Sequence, residues 1–135
     1  MTEEIKAMLL MCVFTPLLAI TSATVNAIIA GFKWGLGNRI EEPNFPHWAI
    51  RLKKSHANLL ENISIFIGIV LTAHVLNVHD TYTVIGAWGF VLARLLFPVV
   101  YTLGITFLYI RTLLYFSSLF ALGIIVWRIF KSYPL

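Results

Sequence analysis

The chain has 135 residues, of which 59% are hydrophobic and only 12% are charged, and its mean hydropathy is +0.86. This composition is too apolar for a soluble domain of this size, so we expect an integral membrane protein. The formal net charge of +4 does not indicate a nucleic-acid partner, because the basic residues flank hydrophobic segments. The single Cys12 excludes an internal disulfide and a cysteine metal cluster.

Four segments are long and apolar enough to cross a bilayer as helices. The first, at about residues 7–32, contains no charged residue and would form roughly 39 Å of helix, more than the ~30 Å hydrocarbon core requires. The others are predicted at about 55–78, 82–103 and 109–129, and the polar segment 33–54 is predicted to be a loop. These elements predict one domain over 1–135, an all-α membrane protein with an antiparallel four-helix bundle.

The basic residues favour one side of this bundle. The side of the first and third loops carries Lys33, Arg39, Arg51, Lys53, Lys54 and Arg111, whereas the side of the termini carries Lys6, Arg128 and Lys131. Cytoplasmic loops are enriched in Lys and Arg. We therefore expect these loops to be cytoplasmic and both termini to lie on the opposite side.

Polar side chains enter the second span along one face. On a helix, an arc of about 80° holds Arg51, Lys54, Asn58 and Glu61. A carboxylate and an amide about two turns into a span are costly against lipid, so this stripe must face protein, water or a ligand.

The third and fourth spans offer polar faces of their own. On the third, Arg94 and Tyr101 are seven residues apart, and Pro98 between them leaves the carbonyl of Arg94 without its usual partner. A kink there would widen a pocket. The fourth span opens with an i, i+4, i+7 stripe made of Arg111, Tyr115 and Ser118.

Several of these residues have a purely structural interpretation. The simplest role of Arg94 is an ion pair with Glu61, since neither charge tolerates lipid alone, and direct ligand contact is the alternative. Tyr101 and Tyr115 are either packing residues with satisfied hydroxyls or site residues. His56 and His74 are expected to be structural, and no pair of histidines has the spacing of a metal site.

Positive charge is in excess on the loop-proximal half of the bundle. Glu61 can neutralise one cation, yet the same half holds Arg51, Lys54, Arg94 and Arg111. A pocket with several cations, one carboxylate and one amide suits a small zwitterion that has more than one carboxylate. Such a pocket would also lower the pKa of a ligand thiol.

These motifs resemble the MAPEG family, the membrane-associated proteins of eicosanoid and glutathione metabolism. The specific part is basic-x-His-x-Asn-x-x-Glu, here Lys54 to Glu61, and it is followed by Ala93-Arg94 with Tyr101 and by Arg111-Thr112 with Tyr115. The resemblance covers nearly the whole chain. The sequence resembles the compact bacterial members and the microsomal glutathione transferases of this family more than its other members. This resemblance implies a location in the bacterial inner membrane.

The resemblance also implies a homotrimer that binds glutathione, as co-substrate, between adjacent subunits on the cytoplasmic side. Arg111 matches the arginine that stabilises the glutathione thiolate, so it is the implied catalytic residue. The residues that would hold glutathione are Arg51, Lys54, Asn58, Glu61, Tyr101 and Tyr115. Lys33 and Arg39 correspond only loosely to family residues.

Three positions depart from family patterns. Thr112 and Phe97 stand where the prostaglandin synthase-like members have serine and histidine, which argues against prostaglandin isomerase activity. Lys54 replaces an arginine, which keeps the charge and loses bidentate binding of a carboxylate.

The resemblance therefore implies a glutathione transferase, with glutathione peroxidase activity as a second reaction, which acts without a metal on a hydrophobic electrophile or lipid hydroperoxide from the bilayer. A non-catalytic lipid-binding or scaffold protein on the same fold is the alternative. A third possible function is a small ion or metabolite channel, in which the polar stripe of the second span would line a water path.

Overall fold

The computed structural model describes residues 1–41 and 43–134, and its regular structure there is helical throughout. The helices are α1 (Glu3–Ala30), α2 (Phe32–Leu36), α3 (His47–Val75), α4 (Thr81–Leu103) and α5 (Ile110–Ser132), with a 3₁₀ turn at Phe107–Tyr109 before α5. By length and composition α1, α3, α4 and α5 could each cross a membrane, α5 together with the 3₁₀ turn. The predicted four-helix bundle of a multi-pass integral membrane protein is confirmed.

Local sequence signals fix where α4 begins and ends. The carboxylate of Asp80 accepts hydrogen bonds from the backbone N–H groups of Tyr82 and Thr83 at 2.9 and 3.1 Å, and Thr83 Oγ1 accepts one from the N–H of Asp80 at 2.9 Å. This reciprocal capping box satisfies N–H groups that have no partner inside the helix. At the other end Gly104 has a φ of +72°, the left-handed conformation that glycine adopts at least cost.

Helix α3 begins at His47, eight residues before the start predicted for its span, so the predicted loop 33–54 is wrong at both ends. The segment also contains α2. Hydropathy predicts the part of a helix that lies in hydrocarbon, whereas the first turns of α3 bury Ala49 and Leu52 and extend beyond it. Pro46 precedes the first turn in extended conformation, which is compatible with a helix start.

Helix α4 lies at the centre of the bundle and packs against α1, α3 and α5, whereas α3 and α5 meet over a much shorter length. In the core, the rings of Phe66 on α3 and Phe90 on α4 stack with centroids 4.2 Å apart. Because α5 packs mainly against α4 and only briefly against α3, space remains between α3 and α5 beside α4.

At the end of the bundle where the termini lie, polar contacts join the helices. Glu4 is 2% exposed, and its Oε1 accepts a hydrogen bond of 2.5 Å from Thr83 on α4. Its Oε2 lies 3.6 Å from Nδ1 of His79 in the α3–α4 turn. Asp80 in the same turn forms an ion pair with Arg128 on α5. These contacts tie α1, the turn, α4 and α5 together.

Candidate functional site

A pocket of about 450 Å³ lies between α3, α4 and α5, near the start of α5. This volume is within the usual range for small-molecule sites. The residues that line it are Lys54, Ala57, Asn58, Glu61, Phe97, Tyr101, Arg111, Thr112 and Tyr115. The structure thus brings together six of the seven predicted catalytic and glutathione-holding residues: Lys54, Asn58, Glu61, Tyr101, Arg111 and Tyr115.

Helical periodicity explains how one pocket collects these side chains. Lys54, Asn58 and Glu61 follow i, i+4, i+7 on α3, so they share a face of the helix. Lys54 and Glu61 are exposed in the single chain, and Asn58 between them is half-buried. The pocket therefore opens at the surface of the protomer, with a cation and a carboxylate at its rim.

Arg111 lies in the first turn of α5, with its guanidinium carbon 5.0 Å from the centre of the Tyr101 ring. This distance is typical of a cation–π contact, which fixes the cation and leaves its N–H groups free to bind an anion. Within the described part of the chain, no carboxylate lies within ion-pair distance of Arg111. No side chain caps the start of α5, so its first N–H groups add positive potential near the pocket.

Arg94 is 1% exposed and does not form the predicted ion pair with Glu61. Instead, its Nη1 donates to Oδ1 of Asn58 at 2.6 Å. The predicted ion pair between Arg94 and Glu61 is therefore wrong. The guanidinium carbon lies 5.5, 5.8 and 5.2 Å from the ring centres of Phe90, Phe97 and Tyr115. These rings hold Arg94 at the level of Asn58, one helical turn short of Glu61.

Arg51 does not line the pocket, because its side chain extends to the C-terminal end of α4. There its Nε donates to the carbonyl oxygen of Thr102 at 3.2 Å. It lines an adjacent cavity of about 320 Å³ that shares Tyr101, Arg111 and Thr112 with the pocket. Arg51 therefore lies outside the pocket lining but borders the same cavity as Tyr101 and Arg111.

Other polar residues singled out in the sequence have local partners. Arg39 donates to the carbonyl oxygen of Gly35 through Nε and Nη2, at 3.1 and 2.8 Å, and lies over the Trp34 ring. Ser118 is buried and donates to the carbonyl oxygen of Tyr115 at 2.7 Å. Both side chains are used within their own segments and lie outside the pocket lining.

Sequence reasoning missed Ala57 as a lining residue and the bond between Arg94 and Asn58. Ala57 carries no chemical signal, and only its position between Lys54 and Glu61 on α3 could have indicated it. The Arg94 bond crosses between two helices, so no spacing within either helix reveals it. No group of three potential metal ligands occurs among residues 1–41 and 43–134.

The MAPEG family model matches residues 7–131, a range that contains every residue lining the pocket. No curated protein and no solved structure matched the chain.

Proposed function

From the premise that this chain belongs to the MAPEG family, we propose that it is a membrane-embedded glutathione transferase, with glutathione peroxidase activity as a second reaction of the same site. Family membership by itself supports a role related to glutathione or eicosanoid metabolism. The observation that carries the finer proposal is one pocket that combines the cations of Lys54 and Arg111 with the carboxylate of Glu61 and the amide of Asn58.

The charges of the pocket complement those of glutathione, which has one ammonium and two carboxylates. Glu61 would bind the ammonium, and Lys54 with Asn58 would bind a carboxylate through charge-assisted and amide hydrogen bonds. Tyr101 and Tyr115 offer ring surface and hydroxyl groups to the rest of the tripeptide. Arg51 has no part in this assignment, since it lies outside the pocket lining.

Arg111 would stabilise the thiolate of bound glutathione. A guanidinium beside the sulfur favours its charged form, so the thiol releases its proton to water at neutral pH. The sulfur then attacks an electrophilic carbon, a C–S bond forms and the leaving group departs with its electron pair. With a hydroperoxide, the sulfur bonds to the terminal oxygen, the O–O bond breaks and the leaving alkoxide takes a proton from water to become an alcohol. A second glutathione then converts the sulfenic acid to the disulfide and water.

We further propose that the protein works as a homotrimer in a bacterial inner membrane, with the pocket toward the cytoplasm. Lys54, Glu61 and Arg111 are all exposed on the single chain, and they border an apolar protein surface. A neighbouring subunit over this opening would exclude water and strengthen the contacts of the bound tripeptide. The hydrophobic second substrate would arrive from the bilayer.

The test is a glutathione titration of the purified protein in nanodiscs at neutral pH, following the ultraviolet absorbance of the thiolate. We expect saturable thiolate formation in the wild type. In Arg111→Ala the thiolate signal should fall at least tenfold, which corresponds to a rise of about one unit in the pKa of the bound thiol. The variant should retain most of the glutathione binding measured by calorimetry. Arg39→Ala removes a cation outside the pocket and should change neither.

Two results would contradict the proposal. Equal loss of binding and thiolate in Arg111→Ala would make Arg111 a general binding residue. Absence of glutathione binding by the folded, oligomeric wild type would overturn the enzyme assignment and favour a non-catalytic lipid-binding or scaffold role.

A further inference from the structure

An apolar groove of about 330 Å³ lies on the side of α4 that faces away from the pocket. Its walls come from α1, α3 and α4, and the residues are Phe14, Leu18, Leu52, Leu95, Pro98, Val99, Thr102 and Leu103. Residues two apart on a helix point in directions about 200° apart, so Val99 of the groove and Tyr101 of the pocket face opposite ways. The groove is thus separate from the proposed glutathione site.

The groove is polar only at the end where α4 terminates. Thr102 lines it there, and the Oγ1 atom of Thr102 is buried without a hydrogen-bond partner in the described part of the chain. Arg51 lies at the same place, with its Nε on the carbonyl oxygen of Thr102 and its guanidinium against Gly104. A Cβ at Gly104 would come within 3.0 Å of Nη2 of Arg51, so the guanidinium lies flat on the helix end.

The guanidinium of Arg51 has unused capacity to bind an anion. Among residues 1–41 and 43–134 it forms no ion pair, and Nε supplies its hydrogen bond to Thr102. The adjacent cavity of about 320 Å³ leaves space beside it, next to Thr106 and Tyr109, and its wall includes the part of the glutathione pocket that contains Arg111. A cation at a helix end, beside a long apolar groove, fits an amphiphile with an acidic head and an alkyl chain.

We propose that the groove and Arg51 bind one anionic phospholipid of the surrounding leaflet. One acyl chain lies between α1 and α4 from Leu103 toward Leu95, a length on the order of 12 Å along the helix. The phosphate accepts charge-assisted hydrogen bonds from Arg51, and the hydroxyl of Thr102 faces the ester region of the lipid. The apolar groove faces away from Arg111, and of these two spaces only the cavity beside Arg51 borders it. A phospholipid with its headgroup at Arg51 therefore fits better than the second substrate, whose hydrophobic reacting part would have to reach Arg111.

Arg51 also has a simpler role as the C-terminal cap of α4, whose own last turn carries no basic residue. The two roles make different demands on the side chain. A cap stabilises the helix whatever the lipid, whereas a headgroup site changes the preference for an anionic lipid. Lysine keeps the charge and can still donate to the carbonyl of Thr102, so the roles are separated by measuring the Tm of Arg51→Gln in phosphatidylcholine alone beside its lipid retention.

The experiment is native mass spectrometry of the protein released from nanodiscs that contain equal amounts of phosphatidylglycerol and phosphatidylcholine. The wild type should retain about one lipid per protomer, with phosphatidylglycerol in excess. Arg51→Gln should reduce this excess about fivefold, the effect of one basic residue near an anionic surface, and Arg51→Lys should keep most of it. Val99→Trp fills the groove without changing charge and should abolish retention of both lipids.

The matched control is Lys33→Gln, which removes a cation predicted for the same side of the membrane but away from the groove. Equal retention of the two lipids by the wild type would overturn the proposal. So would an equal effect of Lys33→Gln and Arg51→Gln, because it would indicate a diffuse surface potential. A lower Tm of Arg51→Gln in phosphatidylcholine alone, with an unchanged excess of phosphatidylglycerol, would leave only the cap, and dissociation of subunits in Val99→Trp would assign the groove to a contact between copies.

Discussion

Asn58 connects the buried arginine to the pocket. Its Oδ1 accepts from Nη1 of Arg94, and its side chain lines the pocket beside Glu61. Because Arg94 has only donors, the amide must turn its oxygen toward α4. The NH₂ group of Asn58 is therefore left to donate, which suits it to a carboxylate rather than to an ammonium.

This arrangement predicts non-additive effects on stability. Asn58→Ala leaves an enclosed guanidinium with only ring contacts, since its Nε and Nη2 already lack partners in the described residues. We expect a cost of about 3 kcal/mol, seen as a lower Tm in detergent without glutathione. Adding Arg94→Met removes the unpaired charge, so the double variant should be more stable than Asn58→Ala alone. Strictly additive changes would show that the bond carries no coupling energy.

At the scale of elements, one glycine sets how closely α4 and α5 approach. A Cβ at Gly86 would come within 2.7 Å of the backbone carbonyl of Ala121 and 2.6 Å of Cγ1 of Ile125. At Gly89, nearly one turn further on, the nearest atom would be Cβ of Ala121 at 3.5 Å, an ordinary contact. The two glycines therefore have different roles on the same helix.

Alanine substitutions test this difference. Gly86→Ala should destabilise the protein by about 1–3 kcal/mol, because a backbone carbonyl cannot move aside as a side chain can. Gly89→Ala is the matched control and should be neutral or slightly stabilising, since alanine favours the helix. Thermal unfolding of both variants in one detergent measures the effect, and similar Tm values would contradict the close approach of α4 and α5.

The existence of the helices followed from the sequence more securely than their limits did. The predicted third span, at about 82–103, is close to the observed Thr81–Leu103, because the capping residue Asp80 and Gly104 coincide with changes in hydropathy. Helix α3 has no such coincidence. Its charged first turns are compatible with a helix outside hydrocarbon, and hydropathy does not distinguish that from a loop.

At the scale of the whole molecule, the two ends of the bundle differ. One end holds the pocket, with exposed charges and a wide opening between α3 and α5. The opposite end is closed by the contacts of Glu4 with Thr83 and of Asp80 with Arg128. The pocket and the contacts that close the bundle thus lie at opposite ends of the molecule.

The closed end predicts a dependence of stability on pH. Partial burial alone would raise the pKa of Asp80, but hydrogen bonds from Arg128, Thr83 and Tyr82 outweigh it and hold this pKa below its ordinary value of 3.8. A carboxyl whose pKa is lowered by folding stabilises the protein above the unfolded pKa, and this contribution is lost as pH falls. The Tm should therefore decrease as pH falls through and below 3.8.

Asp80→Asn should reduce the slope of Tm against pH in this range, because the amide does not titrate. Glu41→Gln, which removes an exposed carboxylate away from this end, serves as the control and should leave the slope unchanged. An unchanged slope in Asp80→Asn would mean that other carboxylates cause the acid sensitivity.

The pocket could be predicted from residue spacing wherever a side chain stays near its own helix face. Lys54, Asn58 and Glu61 met this condition on α3, as Arg111 and Tyr115 did on α5. Arg51 shares the stripe of α3 in projection, yet its long side chain reaches the end of α4 instead. A helical wheel gives the direction in which a side chain leaves its own helix, but not its distance from a neighbouring helix. It therefore could not show that Lys54 lines the pocket and Arg51 does not.

The bond between Glu4 and Thr83 also constrains how the protein is made. Glu4 leaves the ribosome before its partner Thr83, which follows 79 residues later. Until α4 enters the membrane, the carboxylate of Glu4 lacks the hydroxyl that satisfies it in the finished bundle, so this end of α1 must stay hydrated. The contact of α1 with α4 is therefore made late, after α1 can already pack on α3, and a chain that stops before α4 leaves the carboxylate of Glu4 without this partner.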